Sequence, residues 1–213
     1  MLKPLPLIGT ALALLALFAL AELGRRHGVG AETTRRAVHI TGAGTAAIFP
    51  LYLSLADVVV LAVGFTVFLA WTRLRHALLS VHAVARPTLG AIVFPIGLLV
   101  AAVILWPHPA AFSYAALMLA LPDAGAALIG ERYASLSWSV AGGHKSLFGS
   151  LTFFLLAVFI GAAFAQVAGN GAFLAVAGVA LTVTAVEGAV GYGLDNLFIP
   201  VVAGVLGEQW LGL

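Results

Sequence analysis

Apolar runs follow one another along this chain with almost nothing between them, and each is about as long as a bilayer is thick. A hydrocarbon core of about 30 Å takes roughly 20 apolar residues as α-helix. Runs near that length fall at about residues 5–23, 38–54, 56–72, 88–106, 111–130, 147–167, 172–189 and 197–211. The last is short and contains Pro200, which marks it as a tilted or re-entrant segment, so the count is seven or eight helices. The run after Asp57, VVVLAVGFTVFLAW, is strand-like by propensity. An open sheet edge cannot be satisfied in lipid, so helix wins on context. The expectation is an all-α, polytopic integral membrane bundle in a single domain over residues 1–213.

Composition removes other classes. Only 8% of residues are charged, against about 25% in soluble domains. There is no cysteine, which excludes disulfide frameworks and Cys-based zinc sites. The net charge of +2 is scattered rather than gathered into the basic patch that a nucleic-acid partner requires.

The placement of charge fixes an orientation. With the N-terminus outside, alternate loops hold Arg25, Arg26, Arg35 and Arg36, then Arg73, Arg75 and Arg86, then Arg132 and Lys145. That is nine of the ten Lys and Arg residues on one side, with only Lys3 opposite. Cytoplasmic loops carry such an excess, so those loops are expected inside, in the cell inner membrane. The same rule argues against cleavage after Ala19-Leu20-Ala21, which looks like a signal-peptide site. Cleavage there would leave four arginines outside.

Four polar clusters then need explaining, because an Asp at mid-helix costs about 2.5–3.5 kcal/mol on insertion scales. Asp123 lies in LMLALPDAGAALIGERYA, seven residues before Gly130 and so about 10 Å inside the helix end. Pro122 can open the backbone hydrogen bonding beside it. Asp123, Ala126, Ala127 and Gly130 share one helical face, an acid on a smooth strip that a helix or ligand can approach. A structural acid paired with an arginine is the bland alternative.

The second cluster, GGHKSLFGS, opens the run at 147 and holds one of two lysines, Lys145. Ser146, Gly149 and Ser150 are spaced to line one face of a first helical turn. Unpaired N–H groups and a partial positive charge make such a terminus an anion site, and Lys145 adds a full charge. It is not a P-loop, since Ser139 and His144 stand where that pattern needs glycine. A glycine turn, a serine cap and a snorkelling lysine would also account for it. The third cluster is VEGAVGYGLDN, with Glu187, Asp195 and Asn196. The fourth is RRAVHI, with Arg36 and His39 facing together at the start of the second run. With Arg86, all fall on the cytoplasmic side of the expected topology. Three carboxylates among several cations suit Mg²⁺ and phosphates, because Mg²⁺ takes one or two carboxylates plus substrate phosphates. Phosphoryl transfer needs little beyond positioning and neutralised charge.

The order RRxxH, DxxAxxxG, HKSxxGS and VEG…DNxxxP resembles the polyprenol, dolichol and phytol kinase family over about Arg35 to Pro200. The resemblance implies an integral membrane enzyme that phosphorylates a long-chain isoprenoid alcohol, typically from CTP, with Mg²⁺. Carried over residue by residue, Asp123 matches the first acid of the family's Asp motif and Gly130 its closing glycine. Lys145, Ser146, Gly149 and Ser150 match the Lys-Ser…Gly-Ser motif, Glu187 the glutamate of the seventh span, and Asp195-Asn196 the late Asp-Asn pair. The roles expected on that basis place Lys145 and the N–H groups of Ser146–Ser150 on the triphosphate, and Asp123, Asp195 and Asn196 on the metal. Glu187 or Asp123 would accept the hydroxyl proton, and Arg36, His39, Arg86 and Arg132 would screen phosphate charge. The chain departs from the family at Ala127 and Leu194, where many members carry acids, and at Phe148, where some carry Glu. The alternatives are a cytidylyltransferase making a CDP-lipid, whose usual double-Asp ending is not found, a diacylglycerol kinase, and a small anion transporter, for which no internal duplication is visible.

Overall fold

The computed structural model describes residues 1–83, 88–133 and 135–213, and Arg86 lies outside the described residues. The chain is a helical bundle: α1 (Pro4–Arg26), α2 (Ala31–Ala46), α3 (Phe49–Tyr52), α4 (Leu55–Leu74), α5 (Leu79–His82), α6 (Gly90–Leu105), α7 (Pro109–Ala120), α8 (Pro122–Arg132), α9 (Leu147–Val167), α10 (Phe173–Ala189) and α11 (Asp195–Leu211). Every apolar run of the sequence is helical. Among the described residues, four paths are long and apolar enough to cross a membrane: α1, α4, α7 continued by α8, and α9. The helices α6 and α10 are apolar but shorter.

Two of the expected spans are broken, and proline sits at both breaks. The run at 38–54 is not one helix. It begins earlier, at Ala31, and stops at Ala46, and α3 restarts with Pro50 in its first turn. Arg36 and His39 therefore stand in the second and third turns of α2, not at its start. The run at 111–130 divides at Leu121 because Pro122 supplies no N–H there, and α8 continues from it. Pro200, by contrast, lies inside an uninterrupted α11.

The all-α expectation misses one feature. Between α8 and α9 the chain forms an antiparallel hairpin of β1 (Ser137–Val140) and β2 (Gly143–Ser146), with Trp138 opposite Lys145. Its turn passes through Gly142 at φ 78°, a backbone state that favours glycine. This stretch is polar and lies between apolar runs, so no helical stripe organises it, and SWSV alternates as a strand does.

The core is centred on α7, where Phe112, Tyr114, Met118 and Leu119 are fully buried. Small residues let α11 pack close: a side chain at Gly207 would come within 2.7 Å of the Tyr114 ring, and one at Gly204 within 2.1 Å of Leu105. At one end of the bundle, hydrogen bonds gather the polar connections. Thr34 Oγ1 donates to the Ser80 carbonyl at 2.7 Å, Leu89 N–H to the Tyr192 carbonyl at 2.8 Å, and Tyr192 N–H to the Ala141 carbonyl at 2.8 Å. That end carries the loops rich in arginine.

Candidate active site

Four elements converge on Lys145. The hairpin sets the residue on β2, α10 presents Glu187 from its last turns, α11 presents Asp195 at its first position, and α9 presents Ser150. Lys145 Nζ lies 2.6 Å from Glu187 Oε1 and 3.5 Å from Asp195 Oδ2. Ser150 Oγ donates to Glu187 Oε2 at 3.1 Å, so both oxygens of that buried carboxylate are engaged. Burial pulls the Lys145 ammonium down, but Asp195, Glu187 and Asp123 outweigh it and hold the group above its ordinary value. Lys145 is thus a strand residue locked among carboxylates, one position before the cap of α9.

Ser146 is the N-cap of α9, and its Oγ accepts the Gly149 N–H at 3.2 Å. The smooth strip on α8 receives a helix. A side chain at Gly130 would meet Ser146 Oγ at 2.7 Å, and one at Gly149 would meet the Ala126 carbonyl at 2.9 Å. The two glycines let the start of α9 lie against α8 and bring the serine cap beside Asp123's helix. The hairpin is fixed from the other side, where Trp138 Nε1 donates to the Gly188 carbonyl at 2.8 Å.

Asp123 stands in the first turn of α8, with Oδ2 3.4 Å from His39 Nε2. The same His39 nitrogen is 2.9 Å from the Leu119 carbonyl. Asn196 is buried, and its Nδ2 donates to the Gly90 carbonyl at 2.9 Å, tying α11 to α6. Its backbone N–H donates to Asp195 Oδ1 at 3.0 Å, which orients that carboxylate.

These groups line one polar cavity of about 240 Å³. It brings together Arg36, His39, Asp123, Gly130, Lys145, Ser146, Gly149, Ser150, Glu187, Asp195 and Asn196. Arg132 is not brought in: it is exposed at the end of α8, with its guanidinium 5.9 Å from the Tyr133 ring centre. Arg36 reaches the cavity already paired, to Glu131 and to Glu32. Sequence reasoning passed over Arg35, which also lines the cavity and pairs with Glu32. The Glu32–Arg35–Arg36 spacing of i, i+3 and i+4 was its available signal. The contact with Glu131, 95 residues on, left no such trace.

A second cavity, apolar and narrow at about 90 Å³, lies between α1, α2, α4 and α6. The two share Arg35, His39 and Asn196. Among the described residues no three His, Asp or Glu side chains form a protein-only metal cage. A hard cation held by one or two carboxylates together with phosphate oxygens needs no such cage, and Asp123 and Asp195 offer that kind of donor.

No family model matches the chain, and no solved structure matches it. Among curated proteins, the phytol kinase of Synechocystis sp. (strain ATCC 27184 / PCC 6803 / Kazusa) is 32% identical over 192 residues, covering 85% of this chain and 80% of the relative.

Proposed function

This chain belongs to the polyprenol and phytol kinase family, and from that premise we propose that it transfers the γ-phosphoryl group of CTP to a long-chain isoprenoid alcohol dissolved in the membrane. The coarse activity, a lipid-alcohol kinase, comes with the family. The observation that carries the finer reading is the meeting of a polar, lysine-bearing cavity with an apolar one at Arg35, His39 and Asn196. Such a junction suits a reaction between a water-borne phosphate donor and a lipid-borne hydroxyl.

In this reading Lys145 and the N-terminus of α9 hold the phosphates. Asp123, beside His39 at the junction, accepts the hydroxyl proton as the alcohol oxygen bonds to the γ-phosphorus and the bond to the β-phosphate oxygen breaks. CDP leaves, and the alcohol monophosphate remains in the lipid. Mg²⁺ would be held by Asp195 together with the nucleotide's phosphates, where it neutralises their charge. Glu187 holds Lys145 in place, since both its oxygens are engaged by Lys145 and Ser150. We read seven or eight apolar segments as membrane-embedded, with the polar cavity opening to the cytoplasm, as the gathering of arginine-rich loops at that end supports.

The test is incubation of purified protein with each labelled nucleotide against isoprenoid alcohols and diacylglycerol. The expected products are an isoprenyl monophosphate and CDP. Release of pyrophosphate would show a cytidylyltransferase, and phosphorylation of diacylglycerol alone would reassign the acceptor.

A further inference from the structure

We infer that Arg35 is a further catalytic residue, whose guanidinium grips the γ-phosphoryl group at the junction of the two cavities while that group passes to the alcohol oxygen. This role rests on the kinase reading above. Arg35 stands four residues before His39, so the two side chains share one face of α2, about 6 Å apart along its axis. His39 Nε2 lies 3.4 Å from Asp123 Oδ2, the acid that takes the proton in that reading. Arg35 lines both the polar and the apolar cavity, whereas Arg36 and Lys145 line the polar one alone. Among the described residues it is thus the one Lys or Arg at the place where a lipid-borne hydroxyl would meet a phosphate.

The two neighbouring arginines are held differently. Arg36 reaches α8, where it pairs with Glu131 at the end of that helix. Arg35 pairs within α2: Nε donates to Glu32 Oε2 at 3.3 Å and Nη2 to Glu32 Oε1. A guanidinium carries five N–H groups in a rigid plane. Glu32 takes one edge of that fork, and among the described residues no other side chain or carbonyl takes the rest. The side chain is 16% exposed, so water screens its charge poorly, and Asp123 and Asp195 both feel it. Lys145 does not substitute for it, because Glu187 and Asp195 hold that ammonium at 2.6 and 3.5 Å.

Phosphoryl transfer asks for such a cation. In the transition state charge spreads over the three equatorial oxygens of the transferring group, and a planar fork can meet two of them at once. The alcohol oxygen bonds to phosphorus, its proton passes to Asp123, and the bond to the β-phosphate oxygen breaks. Arg35 stays protonated throughout and neither gives nor takes a proton. Its contact strengthens as the charge develops, so it belongs to kcat more than to the KM for nucleotide. The rival is a plain i, i+3 ion pair that does no more than steady the start of α2.

The experiment measures kcat and KM with phytol and CTP, or the pair the wild type prefers, for the full chain and three variants. Arg35→Ala should lower kcat about a hundredfold or more, with the KM for nucleotide within about threefold. Arg35→Lys, a point charge without the fork, should recover less than about a tenth of the wild-type rate. Glu32→Gln breaks the same ion pair but leaves the guanidinium in place, so turnover should stay within about fivefold of wild type. Added guanidinium ion, below denaturing concentration, should restore part of the turnover of Arg35→Ala, and methylammonium should not. Equal losses in Arg35→Ala and Glu32→Gln, a loss confined to KM, or failure of the rescue would overturn the role. If Arg35→Ala does not fold, Arg35→Gln keeps much of the stem and carries the same kcat comparison. A wild-type chain that phosphorylates no alcohol strikes the kinase reading itself; an active wild type matched by Arg35→Ala strikes Arg35 alone.

Discussion

On one side of His39 the cavity walls are ion pairs drawn from five elements of the chain; on the other they are aliphatic and aromatic side chains chiefly from α1, α2, α4 and α6, with glycine and alanine making the room. The polar wall is held by mutual satisfaction. Each charged group there has a named partner, and losing one leaves another buried without compensation. The apolar wall is held by volume, and a change there is felt in proportion to the space it fills or empties. Substitutions should therefore act almost all-or-none on the first and by degrees on the second.

The largest effect is expected at the centre of the polar wall. Lys145→Ala strands Glu187, only 4% exposed at its side chain, and removes the cation from Asp195. Breaking a buried pair in this way costs about 3–5 kcal/mol, and turnover should vanish. The double variant Lys145→Ala/Glu187→Ala sharpens the contrast. It should recover much of the thermal stability in detergent without recovering turnover, which a purely structural pair would not do. A double variant that turns over substrate would reduce the pair to packing.

Asp123→Asn is next. It keeps the shape beside His39 but cannot take a proton, so kcat should fall by about 10²–10⁴ with the KM for alcohol little changed. A rise in KM alone would move Asp123 from chemistry to binding. Gly191→Ala tests the hairpin's place in the polar wall. A side chain there would sit 1.9 Å from the Ala141 carbonyl, so the turn must move. Overpacking of this kind costs about 1–3 kcal/mol, and the KM for nucleotide should rise while that for alcohol holds. If both rise together, the hairpin serves the whole fold and not one cavity.

Much of this division was legible in the chain. The apolar runs became helices, and the acid on its smooth strip, the serine cap and the late Asp-Asn pair do face one cavity. What was not legible has physical reasons. The hairpin that carries Lys145 was not legible, because the polar residues before SLFGS have no apolar stripe to fix their structure, and tertiary contacts of Trp138 and Ala141 hold them as strands. The second run appeared to start at residue 38 because hydropathy ignores AETTRR, although Glu32 in the first turn is a sound helix start. The apolar cavity had no motif at all. Gly42, Ala46 and Ala62 are ordinary small residues until four helices place them together.

A smaller effect follows from the ammonium's raised value. A cation whose folded-state pKa lies above its unfolded one, about 10.4 for lysine, stabilises the fold fully below that pH and loses the contribution as pH rises through the folded value. The melting temperature should therefore fall above about pH 10.5 in the wild type and fall less in Lys145→Ala. Equal slopes would mean that other groups govern alkaline unfolding.

The smallest effect should come from Arg132→Ala, and its smallness is informative. The sequence reading makes Arg132 a phosphate-screening residue, yet the guanidinium is exposed beyond the polar wall and lies 5.9 Å from the Tyr133 ring centre. An exposed contact of that kind is worth about 0.5–1 kcal/mol. Turnover should stay within about twofold of wild type, as for other surface changes. Arg35→Ala should fall well below it, because Arg35 lines both cavities. If instead Arg132→Ala drops tenfold and Arg35→Ala does not, the polar wall must reach past the end of α8 when nucleotide is bound. The hairpin would then have to swing toward Arg132, and the polar wall would extend beyond the boundary drawn here.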